Sequence, residues 1–517
     1  MCGIVGNENI RSLWDGLARR RGGREFLVYE DCDGSLRRFT YAEFDASINR
    51  TANCFLRLGV AKGQNVAVQL YNSPEFLSVV FALAKIGAVA VPVNMQHKAE
   101  ECAFVYERCD VRVLVTEPDF QGLYFGDDAG CSVETVLVCH AGPDGIDPRA
   151  VDFDAEVARC ADVLGEVRAL DAHDTAEIMF TSGTTSCPKG VELTHANLIY
   201  SGLYGDWEFG LTPEDRFLTT MPAFHSNFQL SALMPVLTAG ATLVFVRKYS
   251  ARRFWAQVRA HRATAVQAVA MMARTMMMQP VDPHERDHDV RTVQYYLAIT
   301  EAEKDAFERR FGVRLQNCYG STESVCWVLT DLSYGERRWP SVGRAGLGYD
   351  VDVVDEEGRS CAPGEIGEFV VRGVAGETLM KGYYRDPDAT ARAFSADGRL
   401  RTGDKGYRDE SGWFYFVDRK SNMIKRAGEN ISASEVEEVL LDHPDVAEAA
   451  VVGVDDPVRD QAVKAFVVLE PDAREDGRAL QEYCRGRLAD FKVPTILAFR
   501  EALPRTSVGK VAKNLLR

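Results

Sequence analysis

The run Thr181-Ser182-Gly183-Thr184-Thr185-Ser186-Cys187-Pro188-Lys189-Gly190 follows an apolar, strand-forming stretch at 176–180. Glycine lets the backbone turn its N–H groups inward, the Ser and Thr hydroxyls add donors, and Lys189 supplies a compact positive charge. Together these are the parts needed to wrap a polyphosphate. The run is not a Walker-type loop, which ends in Gly-Lys-Ser/Thr, because Lys189 stands between Pro188 and Gly190. Taken alone, a Ser/Thr/Gly cluster after a strand is more often a polar surface loop, so the remainder of the chain has to decide.

Four further groups follow in order. Tyr319-Gly320-Ser321-Thr322-Glu323 ends a β-rich run with a tight turn and offers a carboxylate and two hydroxyls beside a tyrosine. Arg401-Thr402-Gly403-Asp404 offers a carboxylate on a glycine turn, Asp418-Arg419 closes the next aromatic run, and Pro504-Arg505-Thr506-Ser507-Val508-Gly509-Lys510 sets a lysine on a glycine turn near the end of the chain. Singly these are ordinary turn residues and solubilising charges.

These residues need elements to hold them. Short β-rich runs at 66–70, 89–93, 111–115 and 242–246 alternate with helical periodicity at 74–85 and 98–108, which predicts α/β layers over the first 330 residues. From about 340 the texture changes to short strands with glycine turns, predicting a small antiparallel barrel. A separate α+β unit follows the polar break at 418–422, its first helix opened by Ser432-Ala433-Ser434-Glu435 at capping-box spacing. At 517 residues, 46% hydrophobic and 26% charged, the chain reads as an ordinary globular protein of several domains or subdomains. A net charge of −16 disfavours a nucleic-acid partner. The apolar stretch 77–93 contains Lys85, Gly87 and Pro92 and reads as a buried helix and strand, not an integral membrane segment. Thirteen cysteines without a C-x-x-C pair, and no basic-then-apolar leader, point to reduced thiols and a cytoplasmic setting. Met1-Cys2-Gly3-Ile4-Val5-Gly6 is similar to the start of glutamine amidotransferases, but the β layers of such a domain do not follow, and Cys2 is read as coincidence.

Together, in this order and at these separations, the five groups resemble the adenylate-forming superfamily of acyl-CoA synthetases, luciferases and adenylation domains over essentially the whole chain. Leu83-Ala84-Lys85-Ile86-Gly87-Ala88, Met221-Pro222-Ala223-Phe224-His225 and Gly364-Glu365-Ile366-Gly367-Glu368 match further positions. Within the superfamily, Asp174-Thr175-Ala176-Glu177-Ile178, Tyr249-Ser250-Ala251-Arg252, Arg337-Arg338-Trp339-Pro340-Ser341 and Asn422-Met423-Ile424-Lys425-Arg426 are most similar to carnitine/crotonobetaine-CoA ligases.

The resemblance implies an α/β fold: a large N-terminal domain, 1–418, of two α/β subdomains plus a small β-barrel, then a mobile α+β domain, 419–517, hinged at Ser421. It implies an ATP-dependent ligase that adenylates an acid with release of pyrophosphate and passes it to CoA. Thr181, Ser182, Gly183, Thr184, Thr185 and Lys189 would hold the β- and γ-phosphates. Thr322 would touch the α-phosphate or the carboxylate, and Glu323 would ligate Mg2+, a hard cation that prefers oxygen. Tyr319 would stack on adenine, with Asp404 and Arg419 at the ribose. Lys510 would bridge the carboxylate and α-phosphate during adenylation, then leave as the small domain swings. His225, Asn227, Tyr296 and Cys318 would line the acid pocket, His225 with core packing as an equal alternative. The expected partners are a small acid and CoA or an amine, in a monomer or homodimer.

Three departures bear on the acceptor and the acid. Ala427 replaces a glycine in the loop that borders the pantetheine tunnel of CoA ligases, narrowing it or demanding a negative φ. This keeps open transfer of the adenylate to an amine or carrier protein, or activation of nitrite for diazotisation of an aryl amine in a biosynthetic pathway. The segment 295–301 lacks the superfamily's Gly-Gly-Ala-Pro turn, as the carnitine-type ligases also do. Asn227 stands where those ligases carry Asp, and Tyr200, Tyr204, Trp207 and Phe228 nearby favour an aromatic or unsaturated acid over a quaternary ammonium. A non-catalytic ATP-binding relative would have lost Glu323, Asp404 or Lys510, and all three are present.

Overall fold

Strands covered on both faces read as continuous apolar runs, whereas half-exposed strands alternate. Asn65–Gln69, Val89–Pro92 and Val113–Thr116 are buried at every position and lie inside one sheet. The computed structural model describes residues 3–125, 133–142, 145–181, 188–296, 299–419, 423–470, 473–474, 476–504, 511 and 513–516. Its larger, N-terminal part is built on two mixed sheets. In the nine-stranded sheet, Leu315–Tyr319, Thr292–Tyr296, Ala265–Val269, Arg216–Thr219, Thr242–Val246 and Glu25–Glu30 run parallel, with antiparallel strands on both edges. In the eight-stranded sheet, Thr175–Thr181 starts a parallel run through Val89–Pro92, Asn65–Gln69, Val113–Thr116, Thr135–Val138 and Val151–Asp152.

The helices Pro74–Ile86 and His195–Phe209 are apolar on nearly every side and are buried accordingly. The first is opened by Ser73, whose hydroxyl accepts from the Phe76 N–H, with Pro74 preset in the first turn. Burying this helix also buries Lys85, which is 1% exposed. Its ammonium donates to Asp15 at 3.0 Å, Asp45 at 2.5 Å and Asn49 at 3.0 Å, so all three donors are met and three helices are tied together. Among the described residues, no helix is long and apolar enough to cross a membrane.

The barrel expected after residue 340 is instead a four-stranded antiparallel sheet in the order Asp350–Val354, Gly367–Arg372, Leu400–Arg408, Phe414–Arg419. Four strands are too few to close around a filled interior. The sheet instead lays Phe369 and Phe414 into the core shared with the nine-stranded sheet. The glycine turn at 401–404 is likewise part of the strand Leu400–Arg408. It bulges out between the Glu368–Lys405 and Val370–Arg401 pairs, with Gly403 at φ +73°.

The small C-terminal sheet has its own core around Ile424, Val436, Val451 and Val467. Its hairpin Met423–Arg426 to Glu429–Ser432 turns at Ala427 and Gly428. Ala427 sits at φ +52°, where an L-residue is strained, and its N–H donates to the Arg459 carbonyl. Of the two expected consequences, a narrowed tunnel or a negative φ, the second is not met, and this tertiary hydrogen bond accompanies the left-handed angle. Gly428, at φ +92°, brings the turn against Val269 of the nine-stranded sheet.

Two substitutions test these points. Lys85→Met strands buried acceptors and is expected to destabilise the large part of the molecule by about 3 kcal/mol. An unchanged thermal midpoint would contradict that. Ala427→Gly removes left-handed strain at some cost in chain entropy, for a net gain of roughly 0.5–1 kcal/mol. A lowered midpoint in differential scanning calorimetry would show that Ala427 is held by contacts and not merely tolerated.

Candidate active site

In doubly wound sheets the carboxyl ends of parallel strands leave a crevice where ligands bind. Here both large sheets deliver such ends to one place. Thr181 ends Thr175–Thr181, Tyr319 ends Leu315–Tyr319 and Val269 ends Ala265–Val269. All three border a cavity of about 610 Å3, together with His225, Asn227, Cys318, Thr322, Glu323 and Asp404. Segments far apart in the sequence thus border one cavity.

At one end of the cavity the chemistry is that of phosphate and a hard cation. The Ser/Thr/Gly run joins two antiparallel strands, Thr175–Thr181 and Lys189–Thr194, with Thr181 and Lys189 directly opposite at its base. This hairpin differs from the strand-to-helix setting of a Walker loop. Residues 182–187, and with them Ser182, Gly183, Thr184 and Thr185, lie outside the described residues. Lys189 places its ammonium 5.0 Å from the centre of the Tyr383 ring, and the Tyr383 hydroxyl donates to Glu323 Oε1 at 2.9 Å. The Thr181 hydroxyl reaches the same oxygen at 3.5 Å. Thr322 donates to Ser226 Oγ at 3.2 Å. The turn carrying Thr322 and Glu323 is tight: a Cβ on Gly320 would lie 2.3 Å from the Cys326 carbonyl, and Val325 takes φ +65°. An oxygen-only donor set of one carboxylate and one hydroxyl suits Mg2+, which keeps waters and substrate oxygens for its other positions. Among the described residues no cluster of three or more His, Cys, Asp or Glu side chains forms a metal cage.

At the other end Asp404, 3% exposed, accepts from the Tyr319 hydroxyl at 2.6 Å. Asp404 also pairs in register with Arg419, whose side chain lies outside the described residues. The bulge that turns Asp404 inward is anchored by Glu368, which takes Arg401 at 2.6 Å and the Gly403 N–H at 3.1 Å. The Tyr319 ring packs edge-on to Phe369, 5.4 Å between centroids.

Between the two ends lies His225. Its Nδ1 accepts from the Asn227 N–H at 3.0 Å, capping the helical turn Ser226–Phe228, so in the neutral ring the proton is on Nε2. Desolvation holds its pKa below the ordinary value, against the pull of Glu429. The chain then runs into a π-helical stretch, Gln229–Leu233, in which the Met234 N–H reaches back to Gln229. Pro235 has no N–H for the Ser231 carbonyl, which disfavours the regular ladder here. The stretch turns Leu230 and Ser231 to the cavity. The Cys318 thiol donates to the Tyr295 carbonyl at 3.2 Å, and burial pushes its pKa well up, so it is a wall and not a nucleophile.

The aromatic set expected here is corrected. Tyr200, Tyr204 and Phe228 are fully buried behind the wall: Tyr204 donates to the Trp327 carbonyl, Tyr200 to the Leu347 carbonyl, and Phe228 stacks on Phe245 at 4.5 Å. Trp207 packs on Tyr204, at 5.3 Å. Phe224, Trp327 and Trp339 do border the cavity, as do Phe180, Tyr319, Tyr407, Tyr415, Phe416 and Phe491. Trp339 stands in Arg337-Arg338-Trp339-Pro340-Ser341, one of the runs similar to the carnitine-type ligases. Tyr383, the link between Lys189 and Glu323, carried no sequence signal. Gly428 and Glu429 border the cavity and Ala427 does not, so its methyl does not narrow this space. Cys2, Ser421, Lys510 and the side chain of Tyr296 lie outside the described residues.

Comparison with known proteins agrees with this geometry. Residues 14–384 match the AMP-binding enzyme family and 435–510 the AMP-binding enzyme C-terminal domain. The chain is 44% identical to the crotonobetaine/carnitine–CoA ligase of Salmonella typhi over 99% of its own length and 100% of the relative's. It is similar to the amide bond synthetase McbA of Marinactinospora thermotolerans, with TM-score 0.86, 27% identity and 99% of each chain covered. It also matches the o-succinylbenzoate CoA synthetase of Bacillus subtilis, at 28–29% identity over 99% of this chain and 98% of that one. The TM-score is 0.86 against a double mutant bound with the product analogue OSB-NCoA and 0.69 against the complex with AMP, so the arrangement here is nearer the former. The chain belongs to the AMP-binding enzyme family, as an ATP-dependent, acyl-CoA synthetase-like ligase.

Proposed function

We propose that the enzyme activates a small, flat, unsaturated or aromatic acid by adenylation and transfers it to CoA. The observation that carries this reading is the lining of the cavity that holds His225. Phe224, whose ring lies 6.2 Å from that of His225, borders it together with Trp327 and Trp339, Val269 and Ile299 add apolar surface, and Asn227 stands where a cationic substrate's counter-charge was looked for. In the first step the acid's carboxylate oxygen attacks the α-phosphorus of ATP and the bond to pyrophosphate breaks. Lys189 and the hydroxyls around Thr181 would hold the β- and γ-phosphates, Thr322 would meet the reacting oxygens, and Asp404, Tyr319 and Arg419 would hold ribose and adenine. Lys510 would neutralise charge growing between carboxylate and phosphate. Glu323 would ligate Mg2+, which supplies charge neutralisation on the phosphates when bound. His225, with its proton on Nε2, would donate to the carboxylate. We place the boundary between the two domains at 418/419, with Ser421 as hinge, in an assembly no larger than a homodimer in the cytoplasm.

A second reading follows from the same rings. Indole faces also hold quaternary ammonium groups, and the Salmonella typhi relative is a crotonobetaine/carnitine–CoA ligase. Transfer to an amine, a carrier or nitrite chemistry rested on Ala427, and that residue does not border the cavity.

A panel of aryl acids, 2-enoic acids, crotonobetaine and carnitine, assayed for CoA-thioester formation, decides between the first two. The aryl or 2-enoic acids are expected to show the highest kcat/KM, and a preference for the betaines would establish the second reading. Glu323→Gln is expected to slow ATP–pyrophosphate exchange on the order of a hundredfold. Exchange within twofold of the parent at low Mg2+ would remove Glu323 from the phosphate site.

A further inference from the structure

The hairpin turn at Ala427 and Gly428 reaches the cavity through Gly428 only because the C-terminal sheet is docked, and two ion pairs, one buried and one half-buried, hold it there. Arg274, from the helix Ala270–Met277, donates to Asp460 at 2.8 Å, and the two side chains are 18% and 16% exposed. Lys492 donates to Glu101 at 2.5 Å and to Glu435 at 2.6 Å, with all three side chains at most 13% exposed. Each pair is aimed by the same device. Glu101 is the third residue of the helix Ala99–Arg108 and accepts from the Lys98 N–H at 2.9 Å. Glu303 holds the same position in Glu301–Phe311, accepts from the Thr300 N–H at 2.8 Å, and fixes Arg274 Nε at 2.7 Å. Thus two helix caps of the large part of the molecule set the positions of the groups that grip the small one.

The grip passes directly to the turn. Asp460 lies at φ +68° in the connection between Val446–Asp456 and Asp460–Leu469. Its neighbour Arg459 supplies the carbonyl that holds the Ala427 N–H at 2.9 Å, and Gln461 accepts from the Lys425 N–H at 2.8 Å. The other carboxylate oxygen of Asp460 is buried without a partner. Burial raises the Asp460 pKa despite Arg274, so desolvation outweighs the pairing, and the contact orients more than it stabilises. That balance suits a domain that must leave again.

We propose that Arg274–Asp460 and Lys492–Glu101–Glu435 form a two-point clasp that selects the docked orientation for transfer to CoA, and that they are positioning residues for that half-reaction alone. The proposal rests on the acid–CoA ligase reading. Asp460→Asn and Glu101→Gln keep side-chain shape, and Glu101→Gln keeps an oxygen for the Lys98 cap. Each is expected to slow single-turnover thioester formation from the preformed adenylate about tenfold, while ATP–pyrophosphate exchange stays within twofold of the parent. Hydrogen exchange of the ligand-free enzyme should rise in 270–277 and 423–432. A merely structural role would depress both half-reactions and the thermal midpoint together, and that result, or unchanged thioester transfer in both variants, overturns the proposal. If the parent makes no thioester with any acid, the ligase reading fails by itself. The exchange data then decide the clasp, and unchanged protection in both segments overturns it.

Discussion

Glu323 is the point through which the two large sheets act on one substrate site. Its loop grows from the nine-stranded sheet, yet its carboxylate accepts from Thr181 and Tyr383, which both belong to the eight-stranded sheet. Its backbone carbonyl takes the Met380 N–H at 2.9 Å, so the loop is pinned on both main chain and side chain. Lys189 over the Tyr383 ring extends the same connection to the base of the phosphate hairpin. A carboxylate drawn partly out of solvent is costly unless its lone pairs are met. The donors that meet it, Thr181 and Tyr383, are the ones that tie the eight-stranded sheet to the loop of the nine-stranded one.

The small domain obeys the opposite logic. Its own core is closed, and among the described residues it meets the rest through ion pairs, in one of which, Arg274–Asp460, desolvation of the carboxylate outweighs the attraction. A large apolar interface would fix one orientation permanently. Polar contacts of nearly balanced energy, with directional geometry, let an orientation be specific without being deep. The left-handed backbone at Ala427 and Asp460 lies in this junction, where strain is expected to collect at functional sites.

Much of the fold was legible in the sequence for local reasons. The strand Thr242–Val246 and the helix Pro74–Ile86 are set by apolar runs and by the Ser73-Pro74 start, both properties of neighbouring residues. The four-stranded sheet was misread as a barrel because short alternating strands do not say whether an edge closes. The glycine turn at 401–404 is a bulge inside a strand, which the sequence does not reveal because a bulge is defined by its partner strand, some thirty residues away.

For the site, residue order and type alone determined adenylate chemistry. Glu323, Asp404 and the Thr181–Lys189 run are polar groups on glycine turns, and their succession is legible without coordinates. What only the tertiary structure decided is which aromatic residues border the cavity and what backbone angle Ala427 takes. Tyr200 and Tyr204 are close to His225 in sequence but belong to a helix buried on all sides, whereas Trp327 and Trp339 arrive from edge segments a hundred residues later. Ala427 takes its backbone angle from a carbonyl at Arg459. The facing of a side chain, and a strained φ, depend on partners distant in the chain, and spacing along the sequence carries no record of them.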